Sequence, residues 1–405
     1  MSKRKTPVLR FKGFHNDWEQ RKLGDIAKRI VRKNKNLKST LVLTISAQYG
    51  LVDQKKFFNK NIAGKNIAKY YLIEKGEFAY NKSYSKGHPL GVIKRLDYYD
   101  VGILSTLYII FKPENINSNF LSAYYDTKCW YKEVTKYAAE GARNHGLLNI
   151  PTQDFFKTEL IITTNNKEQQ RIGNIIKIVN KILDLQERKY EELKLLKKAL
   201  LQNMFANKTA YPKLRFNGFN SKWKSYKLKE IGKIVTGNTP PTKDLNNYSD
   251  HGMLWVTPTD ITGPIIRNTV KRLSPIGITK ARTAKEGSIL VTCIASIGKN
   301  ALTETRCGFN QQINAVIPNQ YNDSYFLLIQ SKFWSKKAKQ IAAKGTIKIV
   351  NKKDFSNLSF LYPKLKEQKN MSSFFKLLDM VTTFQMKNLI ELKKIKHFLL
   401  QNMFI

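Results

Sequence analysis

Residues 7–30 read PVLRFKGFHNDWEQRKLGDIAKRI, and residues 212–235 read PKLRFNGFNSKWKSYKLKEIGKIV. Eleven of these 24 positions are identical at a constant offset of 205, among them Arg10/Arg215, Phe11/Phe216, Gly13/Gly218, Phe14/Phe219, Trp18/Trp223 and Leu23/Leu228. A second pair of matches closes each half. Lys167-Glu168-Gln169 recurs as Lys366-Glu367-Gln368, and Leu200-Leu201-Gln202-Asn203-Met204-Phe205 recurs as Leu399-Leu400-Gln401-Asn402-Met403-Phe404, both at an offset of 199. The segment between these two marks therefore has the same length in both halves. A period of about 200 residues is too long for a solenoid and marks duplication of a whole domain with its tail.

The tail reads as a helix. From Glu168 to Phe205 there is no proline and a single glycine, Gly173. Apolar residues fall at Ile172, Ile175, Ile176, Val179, Ile182, Leu183, Tyr190, Leu193, Leu196, Leu200 and Met204. Spacings of three and four make one stripe on a helix about 57 Å long at 1.5 Å per residue. The second tail repeats it with Met371, Phe374, Phe375, Leu378, Val381, Leu389, Leu392, Ile395, Leu399 and Met403. A long helix with one apolar stripe needs a partner, and the other tail supplies it. Connectivity favours an antiparallel pair, because the first helix delivers the chain to the second domain and the second can run back. Gln186 and Gln385 interrupt both stripes at equivalent positions. They either set the register as a buried polar pair or lie exposed at the stripe edge.

Charge sets the expected partner. Of 405 residues, 71 are Lys or Arg and 30 are Asp or Glu, a net charge of +41. Such a chain attracts polyanions over long range, and nucleic acid is the default among them. A lysine-rich composition inherited from the genome is the plainer account. Cys129, Cys293 and Cys307 are unclustered, form no disulfide framework and suit a reducing compartment. The segment after Met1 has no apolar core of a signal peptide, and no run of about 18 apolar residues would span a membrane. The expected location is the cytoplasm.

Residues 31–166 and 236–365 read as mixed α/β with short strands such as Leu41–Ile45, Gly102–Phe111 and Ser288–Thr292. Polar, glycine-containing loops lie between them: Asn81–His88, Gly141–Gly146, Thr236–Lys243 and Ala295–Asn300. Lys, Ser, Thr and Asn in such loops grip phosphates or read base edges, although each is also an ordinary surface-turn residue. The candidates for DNA contact are Asn81, Lys82, Ser83, Tyr84 and Lys86, Arg143, Asn144 and His145 in the first half. In the second they are Asn238, Thr239, Lys243, Ser296, Lys299, Asn310, Gln311, Thr346 and Lys348. Arg143, Asn144, Asn310 and Gln311 lead the set, because Arg pairs bidentately with guanine and Asn or Gln with adenine. Asn310 and Gln311 could equally satisfy backbone groups.

The order of these segments resembles the specificity subunit of a type I restriction–modification enzyme. In the second half the likeness is carried by Trp223…Leu228…Ile231, Gly237-Asn238-Thr239-Pro240, Trp255-Val256-Thr257-Pro258, Gly287-Ser288-Ile289-Leu290, Ile297-Gly298-Lys299, Phe309-Asn310-Gln311-Gln312, Gly345-Thr346, Pro363, Glu367-Gln368 and the closing segment. In the first it is carried by Trp18…Leu23…Ile26, Gly76–Asn81, Gly141–Asn144, Glu168-Gln169 and the same close. The first half lacks a Gly-x-Thr-Pro after its opening block, so its loops need not dock as those of the second do. The resemblance implies an α/β (α+β) domain, duplicated about a pseudo-twofold, with two long antiparallel coiled-coil helices as spacer. The parts would be recognition domain 1 (1–166), spacer helix 1 (167–206), recognition domain 2 (207–365) and spacer helix 2 (366–405). It further implies a bipartite DNA target with half-sites about 34 Å apart, one helical turn. The implied partners are two methyltransferase subunits, and restriction subunits through them, with S-adenosylmethionine, ATP and Mg²⁺ used by those partners.

Chemistry of the chain's own is not expected. Gly298-Lys299-Asn300 lacks the upstream glycine and following hydroxyl of a phosphate loop, and Asn238-Thr239-Pro240-Pro241 is not an adenine-methyltransferase tetrapeptide. His15, His88, His145, His251 and His397 show no metal spacing with the cysteines. The rival reading is a nonspecific basic scaffold with a coiled coil, which excess random duplex would strip from its site.

Overall fold

The computed structural model describes residues 6–60, 66–84, 87–138, 148, 150–206, 209–343 and 349–405. The chain divides into two compact units, 1–188 with 386–405, and 189–385. Both tails are helical throughout, Asn166–Met204 with 39 residues and Leu365–Asn402 with 38. The division falls within each helix, so each unit holds a part of both.

In the first unit, Ala27–Ile30, Ile109–Pro113, Phe78–Asn81 and Val92–Arg95 form an antiparallel four-stranded sheet in that order. Its inner face stacks Phe78 on Phe111 and Tyr80 on Phe155, with Trp130 and Tyr125 edge-on beside them. Glu19–Lys22 pairs with Glu159–Ile162 in a small ribbon just before the long helix begins. The expected strand Gly102–Phe111 is two strands, Val101–Leu104 and Ile109–Pro113. A turn closed by Tyr108 N on Ser105 O, 3.1 Å, divides them. The polar pair Ser105-Thr106, half-buried and exposed respectively, sits at this turn where the apolar run alone suggested continuity.

The second unit holds two five-stranded sheets. One runs Gly232–Thr236, Ile313–Pro318, Ile289–Thr292, Asn300–Thr303 and Ile265–Ile266. The other runs Tyr248–Ser249, Lys271–Leu273, Met253–Val256, Cys307–Phe309 and Thr283–Ala284. Leu254, Val256, Leu290, Ala301, Phe309 and Ile313 form a core between their strands. The helix Ser324–Ala342 starts at Asp323, whose side chain accepts from the backbone of Tyr325 and Phe326.

Each unit shows the direction of the helix pair by itself. In the first, Leu400, Met403 and Phe404 pack with Ile172 and Ile176, so the end of the second helix meets the start of the first. Val179 and Leu183 continue the seam against Leu389 and Leu392. In the second, Met204 and Phe205 pack with Met371, Phe375 and Leu378. The antiparallel coiled-coil expectation is borne out. Gly173, the lone glycine of the first tail, sits where a Cβ would meet Phe120 N at 2.5 Å.

The closing Leu-Leu-Gln-Asn-Met-Phe segments are core residues. Phe404 makes edge contacts with Trp18 and Tyr124, and Phe205 stacks on Phe326 at 5.4 Å between ring centres. Asn402 O accepts from Leu9 N at 2.8 Å, and Asn203 O from Leu214 N at 2.9 Å. The single-stripe reading needs one correction. Ile182, Leu196, Val381 and Ile395, counted in the stripe, are exposed. They belong to a second apolar face that shares the helical spacing of the buried one.

Candidate nucleic-acid interface

Each unit is braced by one buried ion pair that joins its opening block to its helix. Arg10 Nε and Nη2 donate to Glu168 Oε1 and Oε2 at 2.6 and 2.9 Å. Arg215 does the same to Glu367 at 2.7 Å on both oxygens, and the Trp223 indole adds a third donor at 3.3 Å. Gln169 accepts from Asn117 N at 2.7 Å and donates to Thr163 O at 2.7 Å. Gln368 accepts from Asp323 N at 2.9 Å and donates to Pro363 O at 3.0 Å. The Lys-Glu-Gln repeat is thus a clamp holding the helix start to the domain. The repeats in the sequence mark Arg10, Arg215, Glu168 and Glu367 but do not pair them.

On the first unit, the end of the strand Phe78–Asn81 carries the candidates. Asn81 Oδ1 accepts from Ser83 N at 3.0 Å and tightens the bend, leaving Tyr84 exposed. Leu148 N donates to Lys82 O at 2.9 Å, so the chain beyond residue 147 returns beside this bend. Burial lowers the Lys82 pKa, and its ammonium lies 3.5 Å from Ile150 O. His88 touches the Tyr131 hydroxyl at 3.4 Å. Burial first, then Lys94 and Lys128, push its pKa down and favour the neutral imidazole at pH 7. Lys86, Arg143, Asn144 and His145 lie outside the described residues, as do Thr346 and Lys348 of the second unit.

On the second unit, four loops converge at one edge. Asn238 N donates to Phe309 O and Gly237 N to Ile313 O, both at 3.0 Å. Asn310 N donates to Val256 O at 3.0 Å, and Cys293 N to Gln312 O at 2.8 Å. Gly237 is required by contact: a Cβ there would lie 2.2 Å from the carbonyl oxygens of both Phe309 and Asn310. The Gly-Asn-Thr-Pro, Trp-Val-Thr-Pro and Phe-Asn-Gln-Gln segments therefore meet in space, and Lys299 of Ile-Gly-Lys joins them at Pro258.

Their side chains divide into two groups. Asn238 donates through Nδ2 to Lys280 O at 2.8 Å and accepts at Oδ1 from Arg282 N at 2.6 Å. Asn310, only 8% exposed, folds its amide onto Gln312, accepting from its backbone N and donating to its Oε1, both at 3.1 Å. Lys299 donates to Pro258 O at 2.8 Å. These three build the edge. Gln311, Lys243 and Ser296 are exposed on it, and Thr239 donates its hydroxyl to Gln311 Oε1. Arg282 was missed by sequence reasoning. Its tie to Asn238 spans 44 residues and no local spacing reports it.

Gln385 is buried and Gln186 half-buried. Among the described residues no group of three His, Cys, Asp or Glu side chains is arranged to hold a metal. Among them, too, no helix is long and apolar enough to cross a membrane.

This is the build of a duplicated α/β protein with paired long helices. Residues 220–394 match the family described as type I restriction modification DNA specificity domain. The chain is 29% identical over 146 residues to the type I restriction enzyme HindI specificity subunit of Haemophilus influenzae, covering 35% of this chain and 32% of that one. It is 26% identical over 196 residues to the MjaIX specificity subunit of Methanocaldococcus jannaschii, covering 45% and 44%. The matched stretches thus span less than half the length of either relative. A crystal structure of a type I restriction-modification system S subunit from M. genitalium shares the fold, with a TM-score of 0.64, 17% identity and 99% of both chains covered. A structure from work on complex assembly and conformational transition of a type I R-M system aligns with a TM-score of 0.51 and 17% identity, over 95% of this chain and 96% of that one. The resemblance read from the sequence is borne out.

Proposed function

We propose that this chain is the sequence-reading subunit of a type I restriction–modification assembly, binding a bipartite duplex site with one half read by each unit. The observation that carries the reading is the specificity-domain match at 220–394, in a chain whose other half repeats the same opening block, clamp and closing segment. The net charge of +41 supplies the long-range attraction to phosphate. In this reading the chain is not itself an enzyme and binds no cofactor. Adenine methylation with S-adenosylmethionine, and cleavage with ATP and Mg²⁺, belong to partner subunits. The three cysteines are unpaired, which suits the reducing cytoplasm where such an assembly works.

Two partner copies fit the outward faces of the long helices. Ile178, Ile182 and Leu185 are exposed on the first helix at spacings of four and three. Leu377, Val381 and Phe384 are exposed at the equivalent positions, offset by 199, on the second. Two equivalent apolar strips suit two copies of one methyltransferase subunit.

The test is genome-wide mapping of methylated adenine in cells with and without this gene, beside a cognate methyltransferase subunit. Loss of one split motif, two short blocks around a fixed gap, is the expected result. An unchanged pattern, together with binding that random duplex competes away, would favour the basic-scaffold reading instead.

A further inference from the structure

Arg282 stands apart from the other arginines of its unit. Arg215 and Arg267 face the carboxylates of Glu367 and Glu304. Arg272 is held by Gly252 O and Asn268, and Arg306 donates from Nε and Nη2 to one hydroxyl, that of Thr283. Arg282 is exposed, and among the described residues no carboxylate faces it. Its Nη1 donates to Thr236 O at 3.0 Å, and among the described residues nothing accepts from its Nε or Nη2.

Both ends of Arg282 are fixed. Its backbone N is held by the Asn238 side chain at 2.6 Å, and that amide is anchored in turn on Lys280 O. Thr236, which accepts the guanidinium, is itself tied through its hydroxyl to Asn314 Oδ1 at 2.6 Å. The strand that follows, Thr283–Ala284, lies at the sheet edge against Cys307–Phe309. Arg282 therefore stands beside the Gly237–Pro240 and Phe309–Gln312 segments where they converge. A planar fork aimed by a backbone carbonyl suits bidentate recognition, of a guanine edge or of a phosphate, and the loop edge it stands on carries the segments read as base-contacting.

Resting on the proposed DNA-reading function, we propose that Arg282 is the guanine-reading residue of the second unit. Its open edge donates to O6 and N7 in the major groove. Asn238, whose amide is spent on the backbone, is a positioning residue for it and does not itself read a base.

The experiment uses the full chain assembled with its methyltransferase subunit, and duplexes substituted one position at a time across the second half-site. Unmodified protein is measured first. If it shows no preference over random duplex, the proposed function itself fails. Given a preference, Arg282→Ala and Arg282→Lys should each lose roughly 10- to 100-fold discrimination at a single G·C position and keep the rest. Asn238→Ala should weaken that same position. A uniform loss on all sequences, with a salt slope lower by about one, would make Arg282 a phosphate contact and overturn the inference. Unchanged discrimination in the Arg282 variants, or a different relaxed position in Asn238→Ala, would overturn it as well.

Discussion

Glu168 and Glu367 show what one repeated residue can hold. Each is almost wholly buried and accepts a two-pronged guanidinium. Removing one member of such a pair strands a charge in the interior, at a cost of about 3–5 kcal/mol. Urea unfolding of Glu168→Ala should show the first unit melting earlier by about that amount, with the second unit unmoved. Glu367→Ala should do the reverse, and also strip the Trp223 indole of its acceptor. Asp126 gives a pH prediction. Burial opposes its ionisation, but Lys94 and Lys396, at 2.5 and 2.9 Å, overcome that and hold its pKa down at about 2. An unfolded aspartate titrates near 4, so the stabilisation is complete above about pH 4 and fades as pH falls toward 2. Tryptophan fluorescence of acid unfolding should therefore be less steep over that interval in Asp126→Asn. At this scale the sequence exposed identities more than partners. Arg10 and Glu168 were visible as repeats, yet their pairing crosses 158 residues, and Asn238 looked like a reader until its amide was found occupied.

Helices were legible because their signal is local and long. Period and length placed both tails to within about three residues at each end, and Gly173 and the closing segments needed the packing to explain them. Strands were harder, because an apolar run such as Gly102–Phe111 says nothing of where hydrogen bonds change partner. The direction of the helix pair can be checked chemically. In a background freed of its three cysteines, cysteines at Ile172 and Met403 should form an intrachain cross-link, and cysteines at Ile172 and Met371 should not. The end of each tail is equally testable. Phe404→Ala removes a ring lodged among Trp18, Phe120 and Tyr124, and should destabilise the first unit by about 3–5 kcal/mol in the same urea assay.

For the whole molecule, duplication was the most readable property, since two copies at fixed offsets need no structure to be seen. The outward apolar strips were not, because they share the period of the buried seam and a one-dimensional pattern merges the two. Under the proposed function, replacing Ile178, Ile182 and Leu185 with glutamate should reduce bound methyltransferase subunits from two to one by light scattering, while the isolated chain unfolds as before. The two junctions between helix end and opening block carry a last consequence. Leu214 reaches Asn203 across ten intervening residues of continuous chain, whereas Leu9 makes the same bond to Asn402 with no short covalent path between them. The same seat forms whether or not its two sides are tethered. The clasp can therefore be moved from one seat to the other: a linker of about ten residues from the Asn402 side to the Leu9 side, with an opening between Asn203 and Leu214, should give a circularly permuted protein with the same unfolding curve. Which half is translated first is a matter of gene history that the fold does not dictate.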